Sequence, residues 1–335
     1  MDALPRKLGL LDATLIVIGI VIGSGIFLLP NLIARNLPSA FAIIAVWVAA
    51  GVLSFFGALA YAELGAMMPA TGGQYVYLRE AYGPACAFLC GWVFVLAVLP
   101  GGIAFLATGF SIYLAHFIPL SPVMRSAAAL ALVFVLSAAN YVGVKEGAWI
   151  QRIFTFLKIA GLALVIAAAA VAPHVARANT PPAHPLSYAG IGFAMTACLM
   201  AYNGWSYVSF VAGEIRDPQR NLPLSLALGM VAVMVLYVSA NIAYMNVMTV
   251  SEIAAAERVG ADVAARAIGP IGATVLSAVV LLSVIGAING CILTAARIPF
   301  AQAATASSSP RSAACIRVFE RRHWQSWPRA SGPEY

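Results

Sequence analysis

Long apolar runs alternate with short polar connections along most of this chain. A helix needs about 20 apolar residues to cross a bilayer, and by that measure we predict eight membrane spans. Their approximate bounds are residues 11–34, 40–64, 84–117, 123–141, 149–172, 188–215, 222–248 and 271–300. The pattern therefore predicts an all-α polytopic membrane protein.

The connections between the runs carry patterns of their own. Residues 68–75 are polar and glycine-rich, residues 173–185 form a proline-rich loop, and residues 251–268 are charged and amphipathic, so we expect this last stretch to lie on the membrane surface. Inside the third span, Pro100-Gly101-Gly102 predicts a kink.

Two of the predicted spans are interrupted by glycine at mid-depth. The first contains Gly23-Ser24-Gly25 and the sixth contains Tyr202-Asn203-Gly204-Trp205. Each glycine costs a helix interior about 1 kcal/mol relative to alanine, and unwound backbone is tolerated in a bilayer where it packs inside protein or lines a cavity. Glycine that merely lets helices pack closely is the alternative.

The positions of the two interruptions suggest how the spans are arranged. Five spans precede the second interruption, and because five is odd, a second structural unit starting there would be inverted relative to the first. Paired interruptions in an inverted repeat indicate the central site of a transporter.

Composition agrees with a membrane protein: 62% of residues are hydrophobic, 9% are charged, and the mean hydropathy is +0.92. The net charge of +7 does not indicate nucleic-acid binding, because the basic residues lie mostly in short connections and in the final segment. This distribution follows the positive-inside rule and predicts a cytoplasmic N-terminus. The basic residues assigned to the cytoplasmic side are Arg6, Lys7, Arg79, Lys145, Arg152, Arg216, Arg220 and Arg297.

Residues with other chemistry suggest neither an enzyme nor a metal or cofactor site. The five cysteines are Cys86, Cys90, Cys198, Cys291 and Cys315. They form no C-x-x-C pair, and the first four lie in apolar runs, as small hydrophobic side chains do. The four histidines lack metal-ligand spacing, and no nucleophile motif or phosphate-binding loop is present.

Several motifs carry a resemblance to a known family. The first group is Gly23-Ser24-Gly25-Ile26-Phe27 with Leu29-Pro30, Tyr61-Ala62-Glu63-Leu64-Gly65, and Pro69-x-x-Gly72-Gly73-x-Tyr75. The second is Ala201-Tyr202-Asn203-Gly204-Trp205 with Glu214-Ile215-x-Asp217-Pro218-x-x-Asn221-Leu222-Pro223. Together they resemble the amino acid–polyamine–organocation superfamily, and the sixth span is similar to that of the L-type amino acid transporter branch.

The resemblance covers about residues 8–300 and implies both a fold and an activity. The implied fold is a LeuT-like inverted repeat of five plus five helices, with the first and sixth discontinuous. The implied activity is secondary transport of neutral L-amino acids by alternating access in the plasma (inner) membrane, through exchange or proton coupling and without sodium. The partners implied are the amino acid substrate and the lipid bilayer, with no nucleic acid.

The resemblance also implies a substrate site at the interruptions. The backbone amides of Ser24 and Gly25, assisted by the Ser24 hydroxyl, would bind the substrate carboxylate at the start of a half-helix. Carbonyl groups of Val21, Met200 and Asn203 would accept the ammonium.

Three features of the sixth span leave the choice of substrate side chain open. Met200 stands where the branch often has an aromatic residue that closes over the substrate, and Asn203 stands where a small or acidic residue is common. Trp205 either shapes the pocket or packs against a neighbouring helix.

Three charged residues are candidates for coupling or gating. Lys158 lies near the middle of the fifth span, where a charge costs roughly 2.5 to 3.5 kcal/mol. In sodium-independent relatives a lysine at this position replaces a bound cation, so we expect Lys158 to contact the backbone near Gly23 and Ser283 and its protonation to couple to transport. Glu63 and Glu214 lie near cytoplasmic span ends. We expect them to pair with loop arginines such as Arg79, Arg216 or Arg220, fixing a gate or only the fold.

The end of the chain differs from the rest. Residues 1–300 read as a permease domain, whereas residues 301–335 begin with a low-complexity stretch and are expected to form a disordered cytoplasmic tail. An inverted repeat that starts at the sixth span requires five spans, and this sequence supplies three. The alternative function is therefore a truncated, non-transporting fragment of an amino acid permease.

Overall fold

The computed structural model describes residues 6–142, 147–173 and 185–304, and this part of the chain is helical apart from short connections and one isolated parallel bridge. The helices before the proline-rich loop are α1 Leu10–Val21, α2 Gly25–Asn36, α3 Ala40–Met67, α4 Gln74–Tyr82, α5 Pro84–Val93, α6 Leu99–Leu114, α7 Pro122–Val142 and α8 Gly147–Val171. Those after it are α9 Tyr188–Ala201, α10 Pro218–Val247, α11 Val250–Ala255, α12 Val259–Ile268, α13 Pro270–Ala295 and α14 Arg297–Ala304. A π-helical turn, Phe94–Val98, joins α5 to α6, and a 3₁₀ helix, Trp205–Glu214, follows α9.

The described helices confirm a polytopic membrane protein. Six segments are long and apolar enough to cross a bilayer, and the pair α1 and α2, bent by 43°, makes a seventh if it is one span. The remaining predicted span is divided into α9, of 14 residues, and the 3₁₀ helix, of 10 residues. Neither piece reaches the length of a full span. Most of the predicted tail and most of the proline-rich loop lie outside the described residues.

The two halves of the first span lie at the centre of the packing. Helix α1 contacts α8, α10, α13 and the 3₁₀ helix, while α2 contacts α9, α11 and α12. Both α1 and α2 bury most of their residues, as expected for helices that are enclosed by protein rather than by lipid. By contrast, the membrane-spanning part of α7 has no buried residue in the described structure.

A π-helical turn, Phe94–Val98, lies just before Pro100-Gly101-Gly102, where the sequence predicts a kink. The Leu99 N–H donates to the Phe94 carbonyl, five residues earlier. A proline ring clashes with the carbonyl four residues before it in a regular helix, and the wider turn moves that carbonyl away from Pro100. Gly101 and Gly102 then continue α6 as ordinary helical residues.

The amphipathic stretch 251–268 packs on the membrane helices, and its predicted position at the membrane surface stays a prediction. It forms α11 and α12, and α12 buries Val259 and Val263 where it packs on α13, α8 and α2. Arg266 pairs with Glu252 at 2.9 Å. Hydrogen bonds from Arg266, and then from the Thr249 backbone, lower the pKa of Glu252 to about 2. This segment therefore covers one end of the membrane helices.

Candidate functional site

The break in the first span leaves backbone donors without partners. Helix α1 ends at Val21, residues 22–24 are not helical, and α2 begins at Gly25. Among the described residues, the N–H groups of Ser24, Gly25 and Ile26 form no hydrogen bond. These groups form the positive end of the α2 dipole, so the break presents an anion-binding end of a helix.

The break in the sixth span is closed by its own backbone. The Asn203 N–H donates to the Met200 carbonyl at 3.3 Å, and the Tyr207 N–H donates to the Gly204 carbonyl at 3.2 Å. Gly204 has a φ of +115°, a left-handed conformation that glycine adopts without steric cost. The chain then continues as a 3₁₀ helix rather than an α-helix.

The two breaks touch at glycines. A Cβ atom added to Gly204 would lie 2.8 Å from the Ile20 side chain, and one added to Gly25 would lie 3.3 Å from the Ala201 Cα atom. The absence of side chains at both positions therefore allows the half-helices to meet closely.

Tyr237, from α10, ties the breaks together. Its buried hydroxyl donates to the Val21 carbonyl at 2.9 Å and to the Ala201 carbonyl at 3.4 Å. These carbonyls belong to the last residues of α1 and α9. Tyr237 is not predictable from the sequence, because one tyrosine in an apolar run carries no signal of such a contact.

A cavity of about 60 Å³ lies between the breaks. Its lining consists of Ile20, Val21, Gly23, Gly25, Gly102, Phe105, Leu106, Met200, Ala201, Asn203, Gly204, Tyr207 and Cys291. Five predicted site residues, Val21, Gly23, Gly25, Met200 and Asn203, are therefore brought together. None of the lining residues is charged.

The Ser24 side chain does not line this cavity. It is fully buried and packs where a side chain at Gly109 of α6 would otherwise lie. Its hydroxyl has no hydrogen-bond partner among the described residues. The structure thus places the Ser24 backbone at the break and its hydroxyl against α6, outside the cavity lining.

The predicted ammonium acceptors are not equally available. The Val21 carbonyl already accepts from Tyr237 and from the Gly23 N–H, and the Met200 carbonyl accepts from the Asn203 N–H. A carbonyl oxygen has two lone pairs, so that of Val21 is filled and that of Met200 is half occupied. The Asn203 carbonyl has no donor among the described residues and is the free acceptor of the predicted set.

A larger open cleft of about 460 Å³ adjoins the cavity. It is lined by Leu53, Ser54, Leu199, Met200, Asn203 and Trp205, so Met200 and Asn203 border both spaces. The Trp205 ring also meets Tyr61 edge-to-face, with ring centroids 5.1 Å apart, and packs over Gly57. Trp205 therefore does what both alternatives predict: it packs against a neighbouring helix, α3, and it forms one wall of the cleft.

Lys158 holds the other side of the first break. Its fully buried amine donates to the carbonyls of Gly19, Ile22 and Ser283 at 2.6, 3.0 and 3.2 Å. The Ser283 hydroxyl donates to the Ile22 carbonyl at 3.1 Å. Three acceptors match the three donors of an ammonium group. The expected contacts with Ser283 and with backbone near Gly23 are present, and a coupling role stays a prediction.

The predicted partners of the two glutamates were wrong. Glu214 pairs with Arg297 at the start of α14, with N–O distances of 3.0 and 3.1 Å, because α14 returns beside the 3₁₀ helix. Glu63 is exposed on α3 and forms no ion pair within the described ranges. Arg216 instead donates to the Arg6 carbonyl at 3.4 Å.

Comparison with known proteins assigns a family. Residues 8–306 match the family model described as amino acid permease. The chain is 34% identical over 307 residues to b(0,+)-type amino acid transporter 1 of Homo sapiens, covering 88% of this chain and 62% of that protein. It is 31% identical over 306 residues to the serine/threonine exchanger SteT of Bacillus subtilis (strain 168), covering 90% and 69%.

A third relative agrees. Large neutral amino acids transporter small subunit 2 of Rattus norvegicus is 33% identical over 317 residues, covering 90% of this chain and 58% of that protein. The chain therefore spans about three fifths of the length of most of these relatives. Their names describe transporters rather than enzymes.

Proposed function

Because this chain belongs to the amino acid permease family, we propose that it is a secondary transporter of amino acids whose substrate binds in the cavity between the two helix breaks. The relatives support this activity, since they are named as amino acid transporters and one as a serine/threonine exchanger.

The observation that carries the proposal is the set of free N–H groups at the start of α2. Ser24, Gly25 and Ile26 have no acceptor for these groups among the described residues, and Gly25 lines the cavity. An amino acid carboxylate would accept from them and would interact favourably with the helix dipole. The free carbonyl of Asn203 would accept the substrate ammonium, so no acidic side chain is required.

The lining supports a neutral substrate. No lining residue of the described cavity is charged, so a charged substrate side chain would have no counter-charge. A volume of about 60 Å³ corresponds to about two water molecules at roughly 30 Å³ each. A small amino acid backbone would fill it, and a larger side chain would extend past Met200 and Asn203 into the cleft.

The transport cycle would move one group of helices against another. Helices α1 to α3, α9, the 3₁₀ helix and α10 would rock against α5 to α8 and α13, exposing the cavity to each side in turn. Lys158 fills the position between the first break and Ser283 with its own amine, so coupling to sodium is not expected. We place the N-terminus in the cytoplasm and the protein in the plasma (inner) membrane.

Exchange in proteoliposomes tests the activity. Vesicles that contain the purified chain and one unlabelled neutral L-amino acid should take up the same labelled amino acid, at equal rates in sodium and choline buffers. Vesicles without internal amino acid give the exchange-independent background. If no amino acid from a complete set is taken up above protein-free vesicles, the proposed function is wrong for this chain.

A pair of glycine variants tests the site. Gly25→Ala places a methyl group 3.3 Å from Ala201 beside the proposed carboxylate site, whereas Gly101→Ala on α6 meets no atom within 4 Å. We expect the first to raise KM several-fold and the second to leave it unchanged. Equal KM values for the two variants would contradict the assignment of the carboxylate to the start of α2.

A further inference from the structure

Three polar side chains of α8 contact α1 along a single seam. They lie three residues apart on α8, and their contacts advance along α1 by about one turn at each step. The contacts are Arg152 with the Asp12 carboxylate, Thr155 with the Leu15 carbonyl at 3.3 Å, and Lys158 with the Gly19 carbonyl at 2.6 Å. The two helices therefore run parallel and are joined at three levels.

The outermost contact differs from the other two. Asp12 and Arg152 form an ion pair, the only one on α1 among the described residues. The side chain of Arg152 is 43% exposed, whereas Lys158 and Thr155 are fully buried. Because the Arg152 guanidinium already reaches water, this contact can open with a smaller desolvation cost than the fully buried contacts of Thr155 and Lys158.

The Asp12 carboxylate has few other partners. Its side chain is 11% exposed, and its second oxygen accepts the Gly9 N–H at 3.1 Å. Without Arg152, the described structure leaves this carboxylate largely buried with one backbone donor. The ion pair therefore favours the arrangement in which the first turn of α1 lies against α8.

Helix α1 separates the central cavity from the side on which the chain begins. Its last residue, Val21, lines the cavity, and its first turn carries Asp12. The preceding segment is fastened to the end of the 3₁₀ helix, because the N–H groups of Lys7 and Leu8 donate to the Glu214 carbonyl at 2.9 and 3.0 Å. These two hydrogen bonds join α1 and the 3₁₀ helix, which belong to the same group of helices in the proposed rocking motion. Arg152, by contrast, joins α1 to α8, which belongs to the other group.

We propose that the Asp12–Arg152 ion pair is a latch that holds the first half of the first span against α8 and keeps the central cavity closed to the N-terminal side. The inference rests on the proposed function, in which α1 moves relative to α8. Arg152 acts here as a positioning residue: it touches no substrate and works through α1.

Thiol labelling of the cavity tests the latch without requiring transport. Cys291 lines the cavity and is 5% exposed, so its reaction with a charged, membrane-impermeant methanethiosulfonate reports opening. The experiment uses the full chain in proteoliposomes, with Cys86, Cys90, Cys198 and Cys315 replaced by serine and the reagent added on the N-terminal side. Asp12→Asn and Arg152→Gln should each speed labelling about two- to five-fold, the range for a partly exposed ion pair.

Three further variants separate a latch from general loosening. Arg152→Lys keeps the charge and should label as slowly as the parent. The double variant Asp12→Asn/Arg152→Gln should label no faster than either single variant, because both changes remove one interaction. Arg125→Gln is the matched control, since it removes an ion pair to Glu257 that does not involve α1, and it should match the parent.

The proposal is overturned if both single variants label at the parent rate, or if Arg152→Lys labels as fast as Arg152→Gln. It is also overturned if the labelling rate of the double variant rises by the product of the two single-variant increases. Labelling proceeds in a chain that does not transport. If the variants label faster as expected but no amino acid is exchanged, the proposed function is refuted and the latch is retained. If amino acids are exchanged but the variants label at the parent rate, the latch is refuted and the proposed function is retained.

Discussion

The breaks in the first and sixth spans look alike in sequence but are stabilised differently. At the first break, the freed carbonyls are met by side chains from three other helices, through Lys158 of α8, Tyr237 of α10 and Ser283 of α13. At the second, the backbone mainly satisfies itself, and the left-handed Gly204 makes the turn possible.

The first break is therefore stabilised by side chains of other helices, whereas the second is stabilised mainly by the backbone of its own segment. Bonds from other helices can be exchanged when those helices move, whereas the second break is closed by bonds within its own turn and requires a residue that tolerates a left-handed conformation. The first break should therefore respond to substitutions distant in sequence, and the second to substitutions within the turn.

Removing the Lys158 amine should have the largest effect. Lys158→Met keeps much of the side-chain volume but leaves the Gly19 carbonyl without this donor and the Ile22 carbonyl with the Ser283 hydroxyl alone, and an orphaned buried group costs about 1–3 kcal/mol. We expect exchange to fall more than about tenfold, since 1.4 kcal/mol corresponds to a factor of ten, together with a lower unfolding temperature in detergent.

The control for that change is Leu157→Met, because Leu157 is 45% exposed on the same helix and should tolerate methionine. The pH dependence of exchange provides a second readout. If Lys158→Met transports at the parent rate with an unchanged pH profile, the first break does not depend on this side chain and its coupling role is wrong.

A methyl group at Gly204 should have the next largest effect. Gly204→Ala forces a non-glycine residue to a φ of +115° and brings its Cβ to 2.8 Å from Ile20. Such strain costs about 1–3 kcal/mol, so the unfolding temperature and the exchange rate should both fall. Gly192→Ala in α9 meets no atom within 4 Å and should be neutral or stabilise the helix by about 0.5–1 kcal/mol. Equal stability for the two variants would show that the second break is not set by its glycine.

The predictable parts of the site are residues that are energetically unfavourable in an apolar membrane helix. Gly23, Gly25 and Gly204 weaken helices within apolar runs, and Lys158 places a charge where hydrocarbon disfavours one. Each violation is visible in a short window of sequence. The two breaks and the candidate lysine were therefore predictable, as were most span bounds.

The parts that were not predictable depend on how helices are rotated against each other. The Ser24 hydroxyl faces Gly109 because of the rotation of α2 against α6, and Glu214 meets Arg297 because α14 folds back beside the 3₁₀ helix. Tyr237 breaks no local rule. Its contact with two helix ends arises from the tertiary packing alone.

The smallest expected effect comes from Tyr237→Phe, which tests both breaks at once. The hydroxyl lies 2.9 Å from the Val21 carbonyl and 3.4 Å from the Ala201 carbonyl, so its stronger bond belongs to the first break. Loss of this bond should cost about 0.5–1.5 kcal/mol, a two- to tenfold fall in exchange rate. Tyr244→Phe is the control, because the Tyr244 hydroxyl on the same helix is buried without a hydrogen-bond partner in the described structure, and its removal should cost nothing.

Combining Tyr237→Phe with the two larger changes shows to which break its hydroxyl belongs. Both Lys158→Met and Tyr237→Phe release carbonyls of the same break, so their effects on exchange should not add. With Gly204→Ala, whose effect lies in the backbone of the other break, the free-energy changes should be nearly additive. If the effects instead add with Lys158→Met and fail to add with Gly204→Ala, Tyr237 acts mainly through the Ala201 carbonyl. The first break would then be stabilised by Lys158 and Ser283 without a contribution from Tyr237.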